Sequence, residues 1–366
     1  MTEPSPEVRA SPEDSEPQAS PEDSEHQAAP GVAEHQVAPE ESERQAPPGG
    51  RAVTGLFAFS IEGRRAPGAF VAGWLATLIG GIAALVGLLA GPPTGGAILF
   101  VAGLAVLFVG LLLLGGVQAM ELRAAGRAYA GPSPILVFAS TVVGLYLAVV
   151  VVAVPLGLLD VHLEGPGLAL LGVCLQAAVV VGVLRVLVVG SGALSWRDMG
   201  LRVSVPAALR DLAWGALLAL PVIVVTAIAV SGLVTVVGSA PESPLPPAGT
   251  STGLAINLLA GALIAPAYEE LLFRGFAATA WARATSPAAA IVRTSLLFAL
   301  AHVLTQGGET FGSAFGVAVV AAAGRLPVAF ALGWVYLRRQ SLWAAIGLHA
   351  AFNGTLLVLA EAAVRI

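Results

Sequence analysis

Nine long apolar runs, near residues 69–90, 96–119, 134–158, 167–189, 209–238, 253–284, 287–305, 312–337 and 342–364, place most of this chain in lipid. About 20 apolar residues in helical form cross a hydrocarbon core of roughly 30 Å, and within that core a helix satisfies its own backbone polar groups. The expected fold class is all-α: a polytopic transmembrane helical bundle of about nine helices. Composition agrees, because 57% of the residues are hydrophobic and only 11% are charged, whereas soluble domains carry about a quarter charged residues.

The net charge of −5 is the sum of two unlike regions. Residues 1–50 hold twelve acids against Arg9 and Arg44, which leaves eleven acids and sixteen arginines for the rest. Within the first region, residues 11–46 repeat a nine-residue unit: SPEDSEPQA, SPEDSEHQA, APGVAEHQV and APEESERQA. So little apolar surface cannot offset ordering entropy, and the 1–50 tail is expected to be a disordered acidic spacer whose His26 and His35 need no role. It is no signal peptide, since the first apolar run begins only near Phe70. Residues 51–204 then read as accessory transmembrane helices and 205–366 as the functional core.

Arginines mark every second connection: Arg64/Arg65, Arg123/Arg127, Arg197/Arg202, Arg283 and Arg338/Arg339. The intervening connections carry Asp160, Glu164, Glu242 and Glu309 instead. By the positive-inside rule this is a multi-pass protein of the cell membrane with a cytoplasmic N-terminus. Two segments interrupt the pattern. Gly324-Arg325-Leu326-Pro327 sets an arginine and a proline in mid-helix, which predicts a kink or two half-helices, with Arg325 lining a cavity or snorkelling outward. Ser195 to Arg202 reads as an amphipathic piece at the inner interface.

Several chemistries are excluded at once. The chain has no lysine, so it can form neither a Ser-Lys dyad nor a Schiff base. Cys174 is the sole cysteine, which rules out an internal disulfide or a thiolate cluster. Three polar patterns remain within apolar helices: Glu269-Glu270-x-x-x-Arg274, Phe298-x-x-x-His302 and His349-x-x-x-Asn353. Ionisable groups at such depth are costly and usually paired or functional. Glu270 and Arg274 stand at the i,i+4 spacing that allows an ion pair, and Glu269 projects about 100° away from them. A hairpin about Ser286-Pro287 brings both glutamates level with His302. His349 and Asn353 share a face of the last helix. A carboxylate and an imidazole can hold and deprotonate water, while neutral donors stabilise an oxyanion, so the set suits peptide-bond hydrolysis. Glu269, His302 and His349 could instead ligate a divalent metal such as zinc.

These three motifs, read as Glu269-Glu270-Leu271-Leu272-Phe273-Arg274, Phe298-Ala299-Leu300-Ala301-His302 and His349-Ala350-Ala351-Phe352-Asn353, resemble those of the CPBP intramembrane proteases. That family includes type II CAAX prenyl proteases and bacteriocin-immunity (Abi) relatives. The approach Gly333-Trp334-Val335-Tyr336 to Ser341-Leu342-Trp343-Ala344 is also similar, and the likeness covers roughly residues 195–360. It implies that Glu269 and His302 activate water, that His349 and Asn353 form the oxyanion site, and that Glu270 and Arg274 stabilise it. A metalloprotease and a metal-free glutamate enzyme are both compatible with it. The implied partners are a peptide or membrane-protein substrate and the lipid bilayer, with no nucleic acid; the oligomeric state is left open. Other intramembrane proteases fit poorly, because the chain has no His-Glu-x-x-His and no Gly-Asp pair. The expected activity is endopeptidase cleavage in a cavity between the sixth, seventh and ninth helices. The alternative is a non-catalytic scaffold or immunity protein using the same cluster for packing or peptide binding.

Overall fold

A computed structural model describes residues 66–91, 95–201, 204–238, 240, 241, 243, 245–303 and 311–365. The tail with its repeats, and Arg64, Arg65, Arg202, Glu242 and Glu309 of the charge alternation, lie outside the described residues. Nine helical segments follow one another: α1 Pro67–Ala90, α2 Gly95–Ala124, α3 Pro134–Leu158, α4 Gly165–Val189, α5 Val205–Val237, α6 Ser251–Ala284, α7 Pro287–Val303, α8 Phe311–Arg339 and α9 Leu342–Arg365. No strand occurs among the described residues. All but α7 are long and apolar enough to cross a membrane, so the chain is a multi-pass membrane protein, and α7 has 17 described residues.

Boundaries follow local chemistry. Ser133 accepts a hydrogen bond from the Leu136 N–H and precedes Pro134 at the first helical position of α3, where the missing proline N–H costs nothing. Thr250 caps α6 through the Gly253 N–H in the same manner. Ser286-Pro287 makes the turn that folds α7 back along α6.

In the membrane, apolar side chains gain little by turning from lipid to protein, so helices associate where small residues let backbones approach. The crossing that matters for the site is α5 with α9. A Cβ on Gly215 would lie 2.0 Å from the Ala344 carbonyl oxygen, and one on Gly347 2.1 Å from that of Leu212. Two glycines thus let the helices touch backbone to backbone, two residues before His349. At the other side of the bundle, Gly80, Gly87 and Gly103 perform the same service for α1 on α2.

α6 sits centrally and packs against α4, α7, α8 and α9. The boundary expected at 204/205 is therefore not a packing boundary: α4 lies against α6, and the Tyr268 hydroxyl donates to Oε1 of Gln176 at 2.8 Å. α8 also differs from expectation. It runs unbroken through Pro327 rather than splitting into half-helices. Proline removes one N–H donor, to the Ala323 carbonyl, and the packing of α8 on α5, α6, α7 and α9 holds the helix through that gap.

Ser195 to Leu201, the described part of the amphipathic piece, is a turn docked on the bundle. Met199 is fully buried, the Gly200 carbonyl accepts from the Leu342 N–H at 3.2 Å, and Gly200 takes a φ of +83° that favours glycine. Asp198 accepts from the Ser195 N–H and hydroxyl and from Arg283 at 2.7 Å. The Ser195 hydroxyl and amide, then Arg283, hold its carboxyl down at about 2.

Two outcomes are expected. Gly347→Leu lowers the thermal stability of the detergent-solubilised protein by at least the roughly 1–3 kcal/mol typical of overpacking, whereas Gly182→Ala, which meets nothing within 4 Å, is neutral or stabilising. The Asp198 carboxyl is depressed in the fold, so its stabilisation is complete above about pH 4 and fades as pH falls through about 2. Melting curves of wild type and Asp198→Asn should therefore differ at pH 7 and converge toward pH 2.

Candidate active site

The site is built on irregular stretches of α6. Two wide π-helical segments, Leu259–Ile264 and Leu271–Ala278, flank the short α-helical piece Ala265–Glu270 that carries both glutamates. Such bulges are rare and concentrate at functional sites. The first has a local cause. The Ala265 N–H bonds the Ala260 carbonyl in the wide i−5 pattern, and the next residue, Pro266, has no N–H to give to Gly261. The Gly261 carbonyl is answered from another helix: Nδ2 of Asn353 donates to it at 2.9 Å. One proline thus exposes a carbonyl that fixes the position of Asn353.

Glu270 and Arg274 are completely buried. Oε1 of Glu270 accepts from Nη1 of Arg274 at 2.9 Å and from Nδ1 of His349 at 2.7 Å. Nη2 of Arg274 reaches the Ala329 carbonyl on α8 at 3.1 Å. Its guanidinium stands 4.6 Å from the Phe298 ring centroid, a cation–π contact in a dry setting. Phe298 therefore does more than line a wall. Its ring centroid also lies 4.4 Å from that of His302, in a tilted contact, and 5.9 Å from that of His349, edge to face.

The two histidines have defined tautomers. The Phe298 carbonyl can only accept, so Nδ1 of His302, 2.8 Å away, donates to it. A neutral His302 then carries its lone pair on Nε2. An anionic Glu270 likewise accepts from Nδ1–H of His349 and leaves Nε2 as its basic nitrogen. That Nε2 lies 3.9 Å from Oε2 of Glu269. Oε2 of Glu269 makes no hydrogen bond with any described residue. The Glu269 carboxylate lies within electrostatic range of His302, Arg325 and Arg274.

All six residues singled out in the sequence meet in one region of α6, α7 and α9. The Glu270–Arg274 pair forms as the spacing predicts. His349 and Asn353 share a helix face, but each is anchored to α6 by a different partner, Glu270 and Gly261. Arg325 donates to the Ala321 carbonyl within its own helix and lies in electrostatic range of Glu269, which puts it on the site side of α8. Sequence reasoning missed Tyr268 and Gln176. A lone glutamine in the apolar run of α4 was the available signal.

Among the described residues no three His, Cys, Asp or Glu side chains are gathered at metal-ligand spacing.

A helical membrane protein with a carboxylate, two oriented imidazoles and an amide gathered within the bundle has the parts of an intramembrane hydrolase. Residues 251–355, a span containing all six, match the family described as Type II CAAX prenyl endopeptidase Rce1-like. This part of the chain is thus similar to an Rce1-like domain of the CPBP type, a family of intramembrane endopeptidases. No curated protein and no solved structure matches the chain.

The buried triad predicts a strong coupling. Arg274→Met leaves Glu270 charged in a dry site and should cost about 3–5 kcal/mol, as for other broken buried pairs. Removing both charges in Arg274→Met/Glu270→Gln should recover a large part of that loss. A double-mutant cycle of unfolding free energies checks this, and additive losses would contradict the pairing.

Proposed function

We propose that this protein is a glutamate-dependent intramembrane endopeptidase, in which Glu269 and His302 activate the attacking water. The observation that carries the reading is the position of Glu269: a carboxylate oxygen without a hydrogen bond from any described residue, 3.9 Å from Nε2 of His349 and within electrostatic range of His302 and Arg325. A carboxylate so placed can accept a proton from water, with Nε2 of His302 as the second acceptor that shares it.

Attack on the scissile carbonyl creates an oxyanion, which needs donors fixed before the reaction. Asn353 supplies one: Nδ2 carries two hydrogens, and one of them is committed to Gly261. His349 supplies the other when Nε2 carries a proton, with Nδ1 held by Glu270. Glu270 and Arg274 thus act through His349 as positioning residues. The proton taken from water returns to the departing amine from Glu269 or His302, which completes hydrolysis.

The match to a CAAX endopeptidase family supports a substrate with a lipid-modified or otherwise apolar segment near its scissile bond, entering between α6, α7 and α9. The alternation of arginines supports a cytoplasmic N-terminus in the cell membrane. Chemistry by protein side chains alone predicts that treatment with a chelator leaves turnover unchanged.

In reconstituted vesicles, Asn353→Ala should lower kcat by about 10²–10³-fold with little change in KM, and His302→Ala by about 10²–10⁴-fold. Both variants should keep the wild-type melting temperature within a few degrees. Full turnover by either one, measured by mass spectrometry of peptide products, would sink the assignment. Loss of peptide binding without any wild-type turnover would favour a scaffold or immunity role.

A further inference from the structure

Away from the glutamates, a cavity of about 470 Å³ opens where the start of α5 meets the connection between α8 and α9. Arg210, Arg338 and Arg339 line it together with Trp214 and Trp343, and Asp211 is the one acidic group in the lining. Three guanidinium groups therefore face one carboxylate. That carboxylate is already engaged: Oδ1 of Asp211 accepts from Arg339 at 2.5 Å, Arg210 stands at 3.4 Å, and Ser341 hydrogen-bonds it as well. Arg339 is also stacked 4.9 Å from the Trp214 ring. One arginine is thus fixed in place, while Arg210 and Arg338 project outward with exposed side chains.

We propose that this cavity binds the phosphate headgroup of an anionic membrane phospholipid. Guanidinium groups suit phosphate because each presents paired donors to its oxygens, and basic pockets between transmembrane helices are a recurring form of headgroup site. Trp214 and Trp343 place the pocket at the depth where aromatic rings meet headgroups. The surroundings favour a lipid over a free phosphate ion. Leu209, Leu217 and Leu220 on α5, with Phe330 and Trp334 on α8, are exposed apolar side chains on the helices that form the pocket. Such side chains suit contact with acyl chains on the helices that hold the arginines. The site involves none of the six residues assigned to hydrolysis, and its occupancy is independent of turnover.

The test uses the full-length purified protein with dioleoyl-phosphatidylglycerol, dioleoyl-phosphatidylcholine or inorganic phosphate, read by native mass spectrometry and thermal shift. Phosphatidylglycerol should be retained and should raise the melting temperature, with no comparable effect of phosphatidylcholine. Arg210→Gln and Arg338→Gln, both exposed in the protein, should each weaken retention about fivefold. Arg127→Gln removes an equal charge from an exposed position outside the pocket and should leave retention unchanged. Equal retention of phosphatidylcholine, or phosphatidylglycerol binding that survives the Arg210→Gln/Arg338→Gln double variant, would overturn the proposal. A shift produced by inorganic phosphate as large as that of the lipid would overturn its assignment to a lipid. If the double variant shows no cooperative melting, the two single variants decide the matter.

Discussion

One carboxylate oxygen, Oε1 of Glu270, accepts hydrogen bonds from Arg274 and His349 where no water reaches. A charge at that depth is unfavourable unless its partners are close and correctly oriented, so the three groups hold one another in a single arrangement. Arg274 extends the constraint to the α8 backbone through Ala329 and to α7 through the Phe298 ring. Four helices are thereby registered against one anion. The consequence for chemistry is a fixed tautomer: with Nδ1 of His349 committed to Glu270, its Nε2 is the nitrogen presented toward Glu269.

A second constraint comes from the backbone. Helices in lipid must satisfy their own carbonyls, and Pro266 breaks that rule at one position of α6. The wide turn before it and the amide of Asn353 repair the break together, which converts a packing defect into a tether between α6 and α9. The Gly215/Gly347 contact brings α9 to the depth at which this tether and the His349 hydrogen bond can form simultaneously. The irregular segments are therefore the ones that position the groups proposed for hydrolysis, while the regular apolar helices supply the surrounding apolar wall.

Much of this was legible in the sequence because lipid imposes simple rules. The nine apolar runs predict the helices closely; α4, for example, was expected over 167–189 and spans Gly165–Val189. The i,i+4 spacing of Glu270 and Arg274 gave their ion pair, and the turn at Ser286-Pro287 gave the approach of His302 to Glu269. Periodicity could not show the π-helical turns, because they arise from a competition between backbone bonds that leaves the apolar pattern unchanged. Nor could it show that Pro327 would be absorbed by a continuous α8, since that outcome depends on neighbours distant in sequence. The Tyr268–Gln176 bond was missed for the same reason: it joins residues 92 positions apart, across the boundary expected at 204/205.

The most direct test of the central claim compares peptides released from membranes containing the wild-type protein and the Glu269→Ala variant at matched abundance. With Glu269 as the group that activates water, a set of peptides with defined new termini should appear in the wild-type sample and be absent from the variant. Identical peptide profiles in the two samples would contradict the account.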